Sequence, residues 1–422
     1  MVINKAETWQ QALFNRRMLT CVFIGFSSGM PLYVLYQLVP AWLKDGGVSL
    51  TEIGLFALVG VPYTWKFLWA PFMDRWPVPL LGRLGLRRSW MLFTQLALLL
   101  SITVLGLFKP GPSTGTIAVF AFVVALFSAS QDVVLDAFRR EILPDVELGL
   151  GNAIHVQAYR ISSLIPGSLS LVLADQLPWA SVFWITGLFM LVGVMLTVLV
   201  QEPAAVASRS HGLRETVVAP FREYLDRRSW QGVLLVLAFM FLYKLGDNMA
   251  TALATPFYMD IGFSKTQIGL VAKHAALWPA IVGGLLGGLV MVRLGINRSL
   301  WIFGLVQLIS IFGFAVLALQ GPSLWLLAAV IAFEYLGVGL GTAAFTAFIA
   351  RETSRVYAAT QFALFTALAA LPRTFANAGT GAIVERTGWF EFFVLCAVLA
   401  IPGLVMLIWV APWREDKCEP CA

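Results

Sequence analysis

Two aspartates four residues apart, Asp132 and Asp136, lie in the stretch Ser128-Ala-Ser130-Gln131-Asp132-Val-Val-Leu-Asp136-Ala-Phe-Arg139-Arg140-Glu141-Ile-Leu-Pro144. The first half of this stretch belongs to an apolar run beginning near Thr116. Both carboxylates therefore share one helix face at membrane depth. A charge at the bilayer centre costs about 2.5–3.5 kcal/mol on insertion scales, so such a group faces a partner or a watered cavity. A carboxylate that alternates there between protonated and ionised forms carries a proton. Asp132, a full turn deeper and beside Gln131, is expected to do so. Asp136, one turn from the arginine-rich end, is expected to be structural, with Arg75, Arg83 or Arg88 as its partner.

Seven more ionisable groups fall inside apolar runs: Lys66, Arg160, Lys244, Lys273 and Arg373, with Asp247 and Glu334. At about 3 kcal/mol each, all nine together set an upper cost of roughly 27 kcal/mol, more than a typical folding free energy. Pairs and a water-filled cavity must absorb most of it. Lys244 and Asp247, three residues apart, suit pairing with each other. Glu334 is the rival of Asp132 as a proton site, because Asp247 has Lys244 close by to keep it ionised. Arg160, directly after Tyr159, and Lys273, beside His274, have no acidic neighbour in sequence and are expected to meet an anion.

The elements that position these groups are transmembrane helices. The 422-residue chain is 59% hydrophobic and 12% charged, with a mean hydropathy of +0.81, whereas soluble domains carry about 25% charged residues. Its long unbroken apolar runs exclude a β-barrel, whose strands alternate. Twelve spans fit, near 19–42, 52–72, 89–108, 116–138, 151–174, 179–200, 230–256, 266–292, 299–319, 323–349, 357–384 and 389–411. Most of the 29 Lys and Arg then fall at the termini and in the even-numbered loops, which places both termini in the cytoplasm. The net charge of +6 thus reports topology, and no nucleic-acid partner is expected. There is no P-loop, no ligand spacing among His155, His211 and His274, and no disulfide framework. Neither an enzyme nor a metal site is expected, and Cys418-Glu-Pro-Cys421 reads as an incidental tail.

The chain also repeats. Asp45-Gly-Gly47-Val-Ser49-Leu-Thr51-Glu-Ile53-Gly54-Leu55 matches Asp260-Ile-Gly262-Phe-Ser264-Lys-Thr266-Gln-Ile268-Gly269-Leu270 at seven of eleven positions, at an offset of 215. Arg140-Glu141 is echoed by Arg351-Glu352. Ser49 with Glu52 has capping-box spacing, and Pro31 is expected to kink the first span. Gly283-Gly284-Leu-Leu-Gly287-Gly288 allows close packing of the eighth. The expected organisation is a six-helix bundle over 1–200, a polar cytoplasmic linker over 201–229 with an amphipathic helix around 213–228, and a second bundle over 230–422.

Parallel six-helix repeats, with Asp74-Arg75 and Gly85-Leu-Arg87-Arg88 between spans two and three, resemble the major facilitator superfamily. In that loop Ala70 replaces the leading glycine of the family motif, and an insertion with Pro77 and Pro79 divides it. The resemblance implies a structural gate at Asp74, Arg75, Arg88 and Asp136. Five stretches are narrower: Gly25-Phe-Ser-Ser-Gly-Met-Pro31, Lys66-Phe-Leu-Trp-Ala-Pro-Phe-Met-Asp-Arg75, Ser128 to Asp136, Leu242-Tyr-Lys-Leu-Gly-Asp247 and Ala359-Thr-Gln-Phe-Ala-Leu364. In order, they resemble the AmpG-type muropeptide permeases of bacterial inner membranes.

That resemblance implies import of anhydro-muropeptides for peptidoglycan recycling, driven by the proton gradient with no cofactor. A monomer is expected, with membrane lipid and a glycopeptide substrate as partners. The expected cargo-facing residues are Gln131, Lys66, Tyr159, Arg160, Lys244, Asp247, Lys273, Gln361 and Arg373, cations for carboxylates and rings for sugar faces. Siderophore and acetyl-coenzyme A permeases also resemble this family, so either cargo stands as the alternative.

Overall fold

A backbone crossing hydrocarbon must satisfy its own N–H and C=O groups, and a helix does so within one segment. The computed structural model describes residues 15–144, 147–202, 222–353, 365 and 368–413, and all regular structure among them is helical. Twelve long helical segments follow in order among these residues: α1 (Arg16–Asp45), α2 (50–75), α3 (Leu86–Leu105), α4 (Thr114–Ile142), α5 (148–174), α6 (Trp179–Leu199), α7 (Trp230–Asp260), α8 (265–294), α9 (296–320), α10 (Leu324–Glu352), α11 (368–387) and α12 (Trp389–Val410). Helices α8 and α9 run together except at Gly295, whose φ of 77° breaks the helix there. A side chain at that φ would be strained, so glycine is the residue that permits the turn.

The chain divides into two compact units, Met1–Trp42 with Val61–Ala207, and Leu43–Gly60 with Ser208–Ala422. In the first, Ile24, Met73, Met91, Val134, Leu135, Phe138 and Leu196 form a buried cluster at the centre of α1 to α4 and α6. In the second, Phe239, Tyr243, Phe303, Phe345 and Phe348 are at the centre of the core, and Tyr243 stacks on Phe345 at 5.5 Å. Between helices in lipid there is little hydrophobic drive, so close contact has to come from small side chains. Helix α8 meets α10 in this way: a Cβ on Gly283 would collide with the Leu336 carbonyl, and one on Gly339 with the Ala280 carbonyl.

Residues 43–60 are held within the second unit by polar contacts. Lys44 pairs with Asp260 at 2.5 Å and Lys265 with Asp45 at 3.0 Å, while Thr51 donates to Glu385 at 2.5 Å. Asp45 and Asp260 are equivalent in the repeat, and each takes a lysine. Local structure repeats too. Ser49 caps its helix through the Glu52 amide, and Ser264 forms a full capping box with Gln267.

The first, second and fifth helices of each half are interrupted. A π-turn at Val34–Leu38 interrupts α1, 3-10 turns at Phe56–Gly60 and Lys66–Leu68 interrupt α2, and a π-turn at Ile165–Leu169 interrupts α5. Helix α7 breaks at 243–244 and at 253. Further π-turns lie at Ile268–Ala272 in α8 and Pro372–Ala376 in α11. Helices α3, α4, α9, α10 and α12 have no such turn, and α6 has one at 189–190. The expected kink at Pro31 takes the form of the π-turn one turn later in α1.

Candidate functional site: a charged cluster within each unit

In the first unit the polar centre is assembled by a proline. Pro31 has no N–H, so the carbonyl four residues earlier, Ser27, loses its helical partner. Gln131 Nε2 fills that place, donating to the Ser27 carbonyl at 2.7 Å. Gln131 is fully buried, so in this structure its amide joins α1 to α4 rather than facing solvent. The next residue, Asp132, accepts from Ser28 Oγ at 2.5 Å. Its other carboxylate oxygen lies 3.8 Å from Lys66 Nζ. Lys66 opens the 3-10 turn Lys66–Leu68, where α2 leaves regular helical geometry. One turn along, Trp69 Nε1 donates to Ser130 Oγ at 3.0 Å, a second tie between α2 and α4. The pair is partly open, with side-chain exposures of 33% for Lys66 and 13% for Asp132.

Tyr159 packs edge-on against Tyr33 at 5.7 Å, and Arg160 beside it is half-buried. His155, a turn earlier on α5, is buried with its Nδ1 lacking a hydrogen bond.

Asp136 does not take the expected partner. It pairs with Arg139 at 3.0 Å on its own helix, and its side chain is 52% exposed. The loop's charge hub is Arg87, which sequence reasoning passed over. Arg87 bridges Asp74 at 2.6 Å and Glu141 at 2.7 Å. Arg88 points elsewhere and donates to the Thr197 and Val198 carbonyls. Consecutive helical residues point about 100° apart, so the two arginines cannot serve the same carboxylates. Glu202 completes this end by accepting from the backbone amides of Arg87 and Arg88. In the second unit the equivalent of Glu141, Glu352, is held by the end of the linker instead. Tyr224 and Arg228 donate to its carboxylate at 3.2 and 2.9 Å. Burial and the Glu352 carboxylate push the Tyr224 hydroxyl above its usual range, so it remains a donor. Residues 222–227 of the expected linker helix are helical; 203–221 lie outside the described residues.

The second unit carries its own cluster. Lys244, at the break in α7, donates to Asp247 and to Thr342 Oγ1, both at 3.3 Å. Lys244 and Asp247 side chains are each 10% exposed. Glu334 on α10 is wholly buried, beside Asp247, Ser310 and Lys244. Lys273, half-buried on α8, donates to Thr255 Oγ1 at 3.1 Å. Arg373 lies in the π-turn of α11. Gln361 lies outside the described residues, as do Cys418 and Cys421. Among the described residues no group of three or more His, Cys, Asp and Glu is gathered as a metal site.

The sequence matches the family model described as the Major Facilitator Superfamily over residues 21–377. It is 49% identical to an uncharacterized protein of Haemophilus influenzae, over 96% of this chain and 97% of that protein. It is 39% identical to the anhydromuropeptide permease of Escherichia coli, over 92% of this chain and 78% of that one. Among solved structures, the nucleoside transporter NupG superposes with a TM-score of 0.72 at 10% identity, over 96% of this chain and all of that one. A bacterial homologue of the human lysosomal transporter Spinster, inward-facing and unoccupied, gives 0.73 at 15% identity over 99% and 100% of the two chains. At such identities the structures speak for the shared helical fold alone.

Proposed function

The chain belongs to the Major Facilitator Superfamily and, within it, to the AmpG-type permeases; from that premise we propose that it imports anhydro-muropeptides into the bacterial cytoplasm across the inner membrane by proton symport. It is a multi-pass membrane transporter. The cargo class rests on the likeness to the Escherichia coli permease. The observation that carries the coupling is the Lys66–Asp132 pair, a carboxylate within a membrane span held at 3.8 Å from a partly open lysine. Such a carboxylate is costly to keep charged and so is ready to take a proton when its surroundings change.

Asp132 is the coupling group in this reading, with Glu334 as the second acid. Lys66, Arg160, Lys273 and Arg373 meet the carboxylates of the stem peptide, and Tyr159 offers a ring to a sugar face. A pH gradient of about 1.7 units supplies roughly 2.3 kcal/mol per proton, enough for about fifty-fold accumulation when proton and cargo cross as a neutral complex. The experiment is uptake of labelled anhydro-muropeptide into proteoliposomes under an imposed pH gradient, with a siderophore and acetyl-coenzyme A as competitors. Gradient-dependent accumulation that neither competitor reduces is expected. Accumulation suppressed by either competitor would move the cargo to that class, and uptake indifferent to the gradient would remove the symport.

A further inference from the structure

We propose that Lys66 holds either the ionised Asp132 or a carboxylate of the cargo, so that protonation of Asp132 is the event that opens the cargo's anion site. This rests on the reading of the chain as a proton-coupled importer of a peptide-bearing cargo, and adds the device by which proton and cargo bind together.

The geometry separates this pair from the one in the second unit. Lys244 and Asp247 sit on one helix, each 10% exposed, and Lys244 also donates to Thr342. Lys66 and Asp132 come from different helices, and Lys66 is 33% exposed at a distance of 3.8 Å. A pair that long, with a lysine that exposed, is the one a competing anion can open. Asp132 also has a second holder in Ser28. It therefore does not need Lys66 to stay in place once it has become a neutral acid.

Among the described residues, the charges acting on Asp132 come from two helices. Lys66 comes from α2, while Asp136 and Arg139 come from its own helix. Helix α1 contributes the Ser28 hydroxyl. Helix α3 meets α4 at this depth through Met91 against Val134, Leu135 and Phe138. Asp136 already has Arg139 at 3.0 Å, which leaves Lys66 as the cation whose balance depends on Asp132.

With Asp132 ionised, the pair is neutral, and an incoming carboxylate would find its cation taken. With a proton from solvent on Asp132, the ammonium is left uncompensated inside a span, and a cargo carboxylate restores neutrality. The site thus holds zero net charge either with neither ligand or with both. Binding of one raises affinity for the other by the same factor, as linkage requires.

The test is binding of an anhydro-muropeptide tripeptide, and of its analogue with every carboxyl group amidated, to purified protein on both sides of neutrality. Calorimetry in two buffers of unlike ionisation enthalpy counts the protons taken up. For the wild type, affinity for the natural tripeptide should fall about tenfold per pH unit where Asp132 is ionised, with one proton taken up per cargo. The amidated analogue should bind the same protein without that slope. Asp132→Asn should bind the natural tripeptide independently of pH, at the affinity the wild type reaches in acid. Lys66→Gln should bind it weakly and without slope. A slope that persists for the amidated analogue, or in Lys66→Gln, would overturn the exchange while leaving the cargo reading intact. Absence of saturable binding of either glycopeptide to the wild type would overturn the cargo reading and this proposal with it.

Discussion

Removing the Gln131 amide strands the Ser27 carbonyl that Pro31 has already deprived of its helical partner. A buried acceptor left unsatisfied costs about 1–3 kcal/mol, and Gln131→Ala should lower the thermal stability of the detergent-solubilised protein accordingly. Pro31→Ala supplies an N–H at that point, so in its background the same substitution should cost at least about 0.5 kcal/mol less, a coupling typical of groups in contact. Strictly additive losses in thermal unfolding would mean that the proline and the glutamine act separately. Both residues stood out in the sequence, one as a kink and the other as a neighbour of Asp132, yet nothing in one dimension joined them. The partner of Asp132 was hidden for the same reason: Lys66 precedes it by a whole helix and the loops on either side of it. Conversely, the pairing of Lys244 with Asp247 was legible, because three residues on a helix make neighbours. Arg87 was missed because an arginine run names a region, and only the helix phase says which member faces the carboxylates.

Spans and repeats were legible at the scale of the element, since apolar length and a constant offset survive without coordinates. The interruptions were not, except at Pro31. The π-turn of α8 contains no proline, so no local residue announced it. The glycine pattern of α8 could be read as close packing, but its partner helix could not. That partner is α10, and the contact is specific to one side of α8: Gly283 lies against the Leu336 backbone, whereas nothing approaches within 4 Å of a Cβ placed on Gly288. Gly283→Leu should therefore overpack the interface and cost about 1–3 kcal/mol. Gly288→Leu should stay within about 0.5 kcal/mol of wild type. Melting curves of the two variants in one detergent decide the matter, and equal losses would contradict the contact.

For the whole molecule, the arginine and lysine distribution predicts that both termini are cytoplasmic. A reporter active only in the cytoplasm should work when fused at the C-terminus and fail when fused after Lys109; the reverse would turn the protein over in the membrane. The central claim is that cargo and proton cross together in one cycle. Its most direct measurement is the lumenal pH of proteoliposomes that start without any gradient, followed as anhydro-muropeptide is added outside. Symport predicts that entry of labelled cargo acidifies the lumen, and that Asp132→Asn, reconstituted at the same density, produces no acidification. Cargo entering the wild-type vesicles with the lumenal pH unchanged would contradict the account.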